Sequence, residues 1–169
     1  VVQSLALVGK VIDRQGPATQ AGSEVQARVK AAVGTVTAPR KVLIVISDAD
    51  RNIYAAKPES YVGSIATLLK LTNGAAGLAD SGPYPGFTLF SAEQAVSSQP
   101  DIIFTISPAP APAPRLSTVL SQVPGYSGLA SVKDGRVQEL NPDLFLQSPG
   151  PRLADAVEEM GRLVGLMAK

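Results

Sequence analysis

Four carboxylates in polar segments are the residues that could support acid–base chemistry: Asp48, Asp50, Glu59 and Asp143. Two carboxylates can act as general acid and general base when the fold holds them at a fixed separation. Nothing in the spacing pairs two of these four, and carboxylates at loop edges are usually solvated turn formers. The chain also has no His and no Cys, which excludes an imidazole base, a thiol nucleophile and an ordinary zinc or copper site. We therefore expect no catalytic residues, no metal site and no cofactor.

Phosphate-binding signatures are missing from the sequence as well. Neither GxGxxG nor GxxxxGK[ST] follows a predicted strand. A phosphoacceptor receiver domain would need a second Asp at the end of the PDIIF segment, where this chain has Thr105 and Ser107. These observations argue against both a nucleotide-binding loop and a receiver domain.

The aromatic residues indicate a binding surface instead. The chain has four Tyr, four Phe and no Trp, and most of them fall in predicted loops beside strand ends. They include Tyr54, Tyr61, Tyr84, Phe87 and Phe145. Aromatic side chains in loops line binding surfaces more often than those in the core do. A plain packing role is the other interpretation of this pattern.

Two apolar runs predict the strands that would position these loops. Lys41–Ser47 (KVLIVIS) and Ile102–Ile106 are rich in β-branched residues and too short for helices. Continuous apolar runs of this kind are typical of strands buried on both faces of a sheet. The polar segment 48–60 is predicted as a loop at the carboxyl end of the first strand, where open α/β sheets bind their ligands. Residues 136–140 are predicted as a further strand.

Helices predicted between these strands begin at recognisable caps. Ser91 and Gln94 form a capping box ahead of a short helix, and Ser60 can cap a helix that closes at Asn73-Gly74. Pro151 opens the last helix, whose apolar face carries Leu153, Val157, Met160, Val164 and Met167. The alternation of strands and helices predicts the α/β class, as a three-layer αβα lobe with a mostly parallel sheet.

Two helices are predicted ahead of the first strand, over residues 2–12 and from Pro17 to Gly34. The second helix has an alanine-rich, weakly apolar stripe, which is typical of a strut against a neighbour. We therefore divide the chain into a helical segment, residues 1–34, and an α/β lobe, residues 35–169.

The charge balance bears on the partners. Fifteen basic and fourteen acidic residues give a net charge of +1, so we expect no nucleic-acid partner. No stretch approaches the roughly 20 apolar residues that a membrane span needs. No Met precedes Val1, and we expect the chain to be a piece of a longer protein.

Several segments resemble those of one family. They are SAEQAVSSQPDII (residues 91–103), DGRV (134–137) and PGPR (149–152). Together they resemble the C-terminal lobe of the periplasmic binding proteins that serve ABC importers of cobalamin, ferric siderophores and haem. Residues 2–33 resemble the rigid interlobe helix that joins the two lobes in that family. The resemblance covers nearly the whole chain.

The resemblance implies a function and a set of site residues. The two lobes would hold the ligand between them and deliver it to the membrane permease. Ligand contacts would fall on Tyr54, Phe87, Phe145 and Arg152, and permease docking on Glu93. Glu93 lies in the first turn of the capped helix, where the helix dipole favours its ionised form. A helix-capping Glu without a partner is the plainer interpretation of that residue.

The resemblance also implies partners and a location. The partners are an ABC transporter permease, a small metal-chelate ligand and an N-terminal lobe that these residues do not include. The location is periplasmic or extracytoplasmic, with lipoprotein anchoring as one form of it. Without His, this lobe could ligate haem iron only through a tyrosine, and the residues do not choose among the three ligands. A small α/β enzyme, a nucleotide- or flavin-binding module and an interaction domain built on the alanine-rich helix remain as alternatives.

Overall fold

One sheet of six strands forms the centre of the fold in the computed structural model, which describes residues 1–110, 112–147 and 150–167. The strands are β1 (Lys41–Ser47), β2 (Ile53–Ala56), β3 (Thr72–Asn73), β4 (Phe87–Leu89), β5 (Ile102–Ile106) and β6 (Val137–Glu139). Their order is β4-β2-β1-β5-β6, and β3 pairs with the first two residues of β1. β1, β3, β5 and β6 are parallel, whereas β2 runs antiparallel to β1 and β4. The predicted mostly parallel sheet is confirmed.

The two central strands, β1 and β5, have the bounds that the sequence predicts and are buried on both faces. In β1, Val42, Ile44 and Ile46 point into one hydrophobic core, and Leu43 and Val45 point into the other. This alternation follows from the two-residue period of a strand.

Helices cover both faces of the sheet. They are α1 (Val2–Val11), α2 (Gln15–Thr35), α3 (Tyr61–Leu68), α4 (Ala92–Ser98), α5 (Leu116–Val119), α6 (Ala130–Lys133), α7 (Pro142–Phe145) and α8 (Leu153–Leu166), with 3₁₀ turns at Leu120–Gln122 and Gly150–Arg152. Residues of α2, α3, α7 and α8 pack in the first core, and residues of α4, α5 and α6 pack against the second. The three-layer αβα architecture is confirmed. In the part of the chain that the structure describes, no helix has the length and hydropathy to cross a membrane.

The helical segment ahead of the sheet is attached to the lobe through α2. The Arg28 guanidinium donates to both carboxylate oxygens of Glu158, at 2.8 and 2.6 Å, and to Oδ1 of Asp155 at 2.6 Å. Ala32, one turn further along α2, is buried in the first core. The carboxyl half of α2 therefore packs as part of the lobe, whereas α1 packs mainly on α2.

The structure differs from the predicted secondary structure in two segments. The segment predicted as a loop, 48–60, contains β2, which forms a hairpin with β1 through Val45↔Ala55 and Ser47↔Ile53. The helix capped by Ser60 ends at Leu68 and does not reach Asn73. Lys70 adopts a left-handed backbone, with φ +59°, and directs the chain into β3.

Candidate functional site

Tyr54 lies in β2 and is buried, so its predicted place in a loop is wrong. Its hydroxyl donates to Oδ2 of Asp48 at 3.1 Å. Burial, followed by this hydrogen bond, raises the pKa of the Tyr54 phenol. The ring meets the ring of Tyr84 edge to face, with centroids 5.1 Å apart and planes at 85°. Tyr54 therefore supports Tyr84, whose side chain is exposed.

Asp48 orders the turn between β1 and β2. Its carboxylate accepts from the backbone N–H and the side-chain amide of Asn52, both at 2.9 Å. The hydrogen bond from the Asn52 side-chain amide has the largest effect on the pKa of Asp48 and lowers it. Among the residues of 1–110, 112–147 and 150–167, no three acidic side chains form a group that could hold a metal ion. Asp48 is thus explained as a structural acceptor.

The loop that carries Tyr84 is fixed to the end of β2. Lys57 forms an ion pair with Asp80 and donates its backbone N–H to the carbonyl of Gly86 at 2.9 Å. Gly82 has φ +88°, and a Cβ there would lie 2.5 Å from Cε1 of Tyr54. These contacts place the exposed Tyr84 ring on a defined support.

Phe87 and Phe145 have different surroundings. Phe87 is in β4, half-buried, and packs against the first core. Phe145 is the last residue of α7 and is 1% exposed inside that core. Asn141 caps α7 by accepting from the Asp143 N–H at 2.8 Å. A side chain so enclosed has no free face for a ligand, and only Phe87 of the two reaches the surface.

Arg152 and Tyr61 lie at another part of this surface. Arg152 is exposed at the end of the 3₁₀ turn Gly150–Arg152, ahead of α8. The PGPR motif that carries it begins at residue 149, which lies outside the described residues. Burial raises the pKa of Tyr61 to about 12, and the nearby charge of Arg152 opposes that shift. The Tyr61 hydroxyl has no hydrogen-bond partner among the described residues.

A cavity of about 390 Å³ connects Tyr61 to the helical segment. It is lined by Tyr61, Gly150 and Pro151 on the lobe, by Val1 ahead of α1, and by Ser4, Leu5 and Val8 of α1. The sequence did not single out Tyr61 or Tyr84 above the other aromatic residues. The position of Tyr61 directly after the Ser60 cap was the available signal, since the first turn of a helix at a strand edge faces solvent on one side.

These residues form one patch, which we call the aromatic edge: Tyr61, Tyr84, Phe87 and Arg152. Gly86 lies against Ser60, which connects the Tyr84–Phe87 part of the patch to Tyr61. The structure thus brings Phe87 and Arg152 of the predicted residues to this surface and places Tyr54 and Phe145 beneath it.

Glu93 lies on the opposite side of the sheet, in the first turn of α4. The predicted capping box is confirmed: Ser91 Oγ accepts from the Gln94 N–H at 3.2 Å, and Gln94 Oε1 accepts from the Ser91 N–H at 2.8 Å. A hydrogen bond from Ser91 is the largest cause that lowers the pKa of Glu93. Its exposed carboxylate is therefore charged at neutral pH and available to a cationic partner.

Comparison with known proteins identifies the family. The sequence profile of the periplasmic binding protein family matches residues 2–144. A search of curated proteins found no match.

Solved structures share the fold. The apo form of the periplasmic haem-binding protein RhuT from Roseiflexus sp. RS-1 superposes with a TM-score of 0.81 and 18% identity, over 99% of this chain and 63% of that one. A structure from an ABC-type Fe³⁺-hydroxamate transport system of Saccharomonospora viridis superposes with a TM-score of 0.79 and 18% identity. The match covers 98% of this chain and 55% of that one. The periplasmic vitamin B12 binding protein BtuF of Vibrio cholerae superposes with a TM-score of 0.69 and 20% identity. The match covers 93% of this chain and 56% of that one.

The chain spans less than two thirds of each of these structures. At such identities the likeness shows the fold, while the profile match extends over most of the sequence. The chain belongs to the periplasmic binding protein family.

Proposed function

We propose that this chain is the C-terminal lobe of the substrate-binding component of an ABC importer. It would hold an iron–siderophore, cobalamin or haem ligand against a second, N-terminal lobe and deliver it to the membrane permease. It would do so by binding, without catalysis, at a periplasmic or extracytoplasmic location. The observation that carries the proposal is the family match over residues 2–144, and the aromatic edge supplies a surface that suits such ligands.

The chemistry of the aromatic edge fits a flat or anionic ligand. Exposed Tyr84 and half-buried Tyr61 and Phe87 offer ring faces and edges that can stack on a corrin or a porphyrin. The exposed guanidinium of Arg152 can pair bidentately with a carboxylate or with an anionic chelate. We assign ligand contact to these four residues. Tyr54 and Phe145 would act from beneath, by fixing the surface that the ligand meets.

The solved structures support the ligand class without choosing a member of it. Their descriptions name haem, Fe³⁺-hydroxamate and vitamin B12, each for its own protein. The described residues show no feature that favours the enzyme or the nucleotide-binding alternative.

The test is calorimetric titration with cobalamin, haemin and a panel of ferric siderophores. The protein titrated is the two-lobe form, in which this chain follows the N-terminal lobe. We expect one ligand class to bind saturably and the isolated chain to bind it with a dissociation constant weaker than about 1 µM, because half of the contacts are missing.

Two arginine variants make the titration specific. Arg152→Ala should weaken binding of the preferred ligand about ten-fold, the effect of losing one charge-assisted contact. Arg162→Ala is the matched control, because Arg162 is an exposed arginine paired with Glu159 on α8. Equal effects of the two variants would remove Arg152 from the site, and no saturable binding of any ligand would contradict the proposed function.

A further inference from the structure

A second cavity lies at the carboxyl edge of the sheet, on the face that α4 and α5 cover. It encloses about 810 Å³, about twice the volume of the cavity beside Tyr61. The β1–β2 turn forms one side of it, and α5 with the end of the proline-rich segment 108–115 forms the other. We call it the aliphatic cavity and define it by Arg51, Ile53, Leu116, Val119, Gln122 and Val123.

The aliphatic cavity is open because the sheet ends beneath it. The β1–β5 pairing stops at Ile46↔Ile106. Segment 108–115 cannot continue that pairing, since four of its eight residues are prolines and have no N–H to donate. The Leu116 N–H donates to Oγ of Ser107 at 2.8 Å, which holds α5 on the end of β5. The two walls are therefore fixed by the fold, and a ligand need not order them.

The walls of the cavity suit an aliphatic ligand rather than a flat aromatic one. Leu116, Val119 and Val123 line it from the helical side and Ile53 from β2, and none of the described lining residues is aromatic. Ring stacking, which the aromatic edge offers, is thus missing here. Ile53 packs in the second core and its neighbour Tyr54 in the first, so the cavity and the aromatic edge lie on opposite faces of β2. The volume falls within the range of small-molecule sites, about 300–1,000 Å³.

One cation at the rim has no partner in the fold. The side chain of Arg51 is exposed and makes no hydrogen bond or ion pair with any described residue. Its backbone is left-handed, with φ +64°, a conformation that costs energy for a non-glycine residue and occurs often at functional sites. Asp48 also lines the cavity, but its carboxylate is already bonded to Asn52 and to the Tyr54 hydroxyl. The free charge at this rim is therefore positive.

We infer that the aliphatic cavity binds a small amphipathic carboxylate, of the fatty-acid type, at a site separate from the aromatic edge. The aliphatic chain enters between Ile53 and α5 and leaves water for the apolar walls. The carboxylate remains at the rim and pairs with the Arg51 guanidinium, which can donate two parallel hydrogen bonds to it. Gln122, exposed on the same rim, offers a further amide donor. This site does not depend on the proposed function.

The test is calorimetric titration of the two-lobe protein with decanoate. We expect saturable binding, and binding of butyrate at least about 100-fold weaker, because the short chain buries much less apolar surface. Arg51→Gln should weaken decanoate binding about ten-fold at low salt and by a smaller factor at high salt, where an exposed ion pair is screened. Lys133→Gln is the matched control, because Lys133 is an exposed cation at the end of α6, outside the cavity.

A second pair of variants tests the apolar wall. Val119→Phe should weaken decanoate binding at least about ten-fold, because the larger side chain takes up space in the cavity. Val132→Phe is its control, since Val132 is also half-buried against the second core but does not line the cavity. Circular dichroism checks that both variants are folded, and Arg51→Gln, a surface change, carries the test if Val119→Phe is not.

Three results would overturn the inference. They are no saturable binding of decanoate, equal effects of the Arg51 and Lys133 variants, and competition between decanoate and the preferred ligand of the importer panel. Competition would mean that the cavity is part of the ligand site. Decanoate binding with the expected sensitivities, by a protein that binds no ligand of the panel, would support the inference and contradict the proposed function.

Discussion

Single residues set the shape of the aromatic edge. Tyr54 holds Tyr84 from below, and Gly82 leaves room for the Tyr54 ring because it has no Cβ. Gly82 also has a positive φ, which non-glycine residues adopt at a cost. The position therefore combines a backbone requirement with a packing requirement.

Gly82→Ala should destabilise the protein more than Gly77→Ala does. Both glycines have positive φ, +88° and +79°, but a Cβ at Gly77 would meet nothing within 4 Å. The difference between the two variants should be about 1–3 kcal/mol in the free energy of unfolding, from displacement of the Tyr54 ring. Urea denaturation measures it, and equal destabilisation would show that the contact with Tyr54 carries no strain.

For single residues, the sequence predicts the features that depend only on neighbouring residues in the chain. The caps at Ser60 and Ser91 are predicted correctly, because each needs only a hydroxyl and the backbone three residues later. The burial of Tyr54 and Phe145 is not predicted, because it depends on strand pairing and on helices far away in the chain. The roles of Phe87, Arg152 and Glu93 remain predictions.

Glu139 of β6 joins three elements at the carboxyl edge of the sheet. Its Oε2 accepts from the Thr105 hydroxyl of β5 at 2.6 Å and from the Ser117 N–H of α5 at 3.1 Å. Burial is the largest influence on its pKa and raises it, but the hydrogen bonds from Ser107, Thr105 and Ser117 outweigh burial and lower the pKa overall. The charged form of Glu139 thus ties β6 to β5 and to α5.

A lowered pKa makes this link sensitive to acid. The unfolded state, with the ordinary pKa near 4.5, binds the proton first as the pH falls. The stabilisation is therefore complete above about pH 4.5 and is lost as the pH falls further toward the pKa of the folded state. In Glu139→Gln, the free energy of unfolding should change less between pH 6 and pH 3 than in the wild type. Glu24→Gln, at an exposed position of α2, is the control, and parallel pH profiles for all three proteins would contradict the expectation.

The sequence predicts the elements whose signal is continuous. β1 and β5 are correct to the residue, since a run of β-branched residues on both faces has few other structures available to it. β2 is missed because its four residues, Ile53–Ala56, follow a polar turn and show no alternation. The pairing that makes it a strand comes from β1 and β4, which local sequence does not contain.

The molecule as a whole exposes one face of α1. Leu7, Val8, Val11 and Ile12 are all exposed there, and α1 makes most of its contacts with α2. Contiguous exposed apolar groups of this kind mark a surface that another body covers. Under the proposed function, the N-terminal lobe would be that body.

The isolated chain should therefore self-associate through α1. Sedimentation velocity at about 100 µM should show dimers or larger species, driven by burial of apolar surface. Val11→Gln should shift them toward monomer, because Val11 is 78% exposed and central to the face. Leu166→Gln, at a 57% exposed position at the end of α8, should have no effect. A wild-type chain that remains monomeric would contradict this use of α1.

The architecture is predictable from the order of the elements, and the ligand is not. Alternating strands and helices leave few arrangements other than a covered parallel sheet. The identity of a ligand depends on how a few side chains, such as Tyr61 and Tyr84, come together from distant segments.

The ion pairs of Arg28 have a mechanical consequence. They fasten the middle of α2 to α8, and the two helices remain close at Gly161, where a Cβ would lie 3.6 Å from the Ala32 carbonyl. We therefore expect the carboxyl half of α2 and the sheet to move as one rigid body.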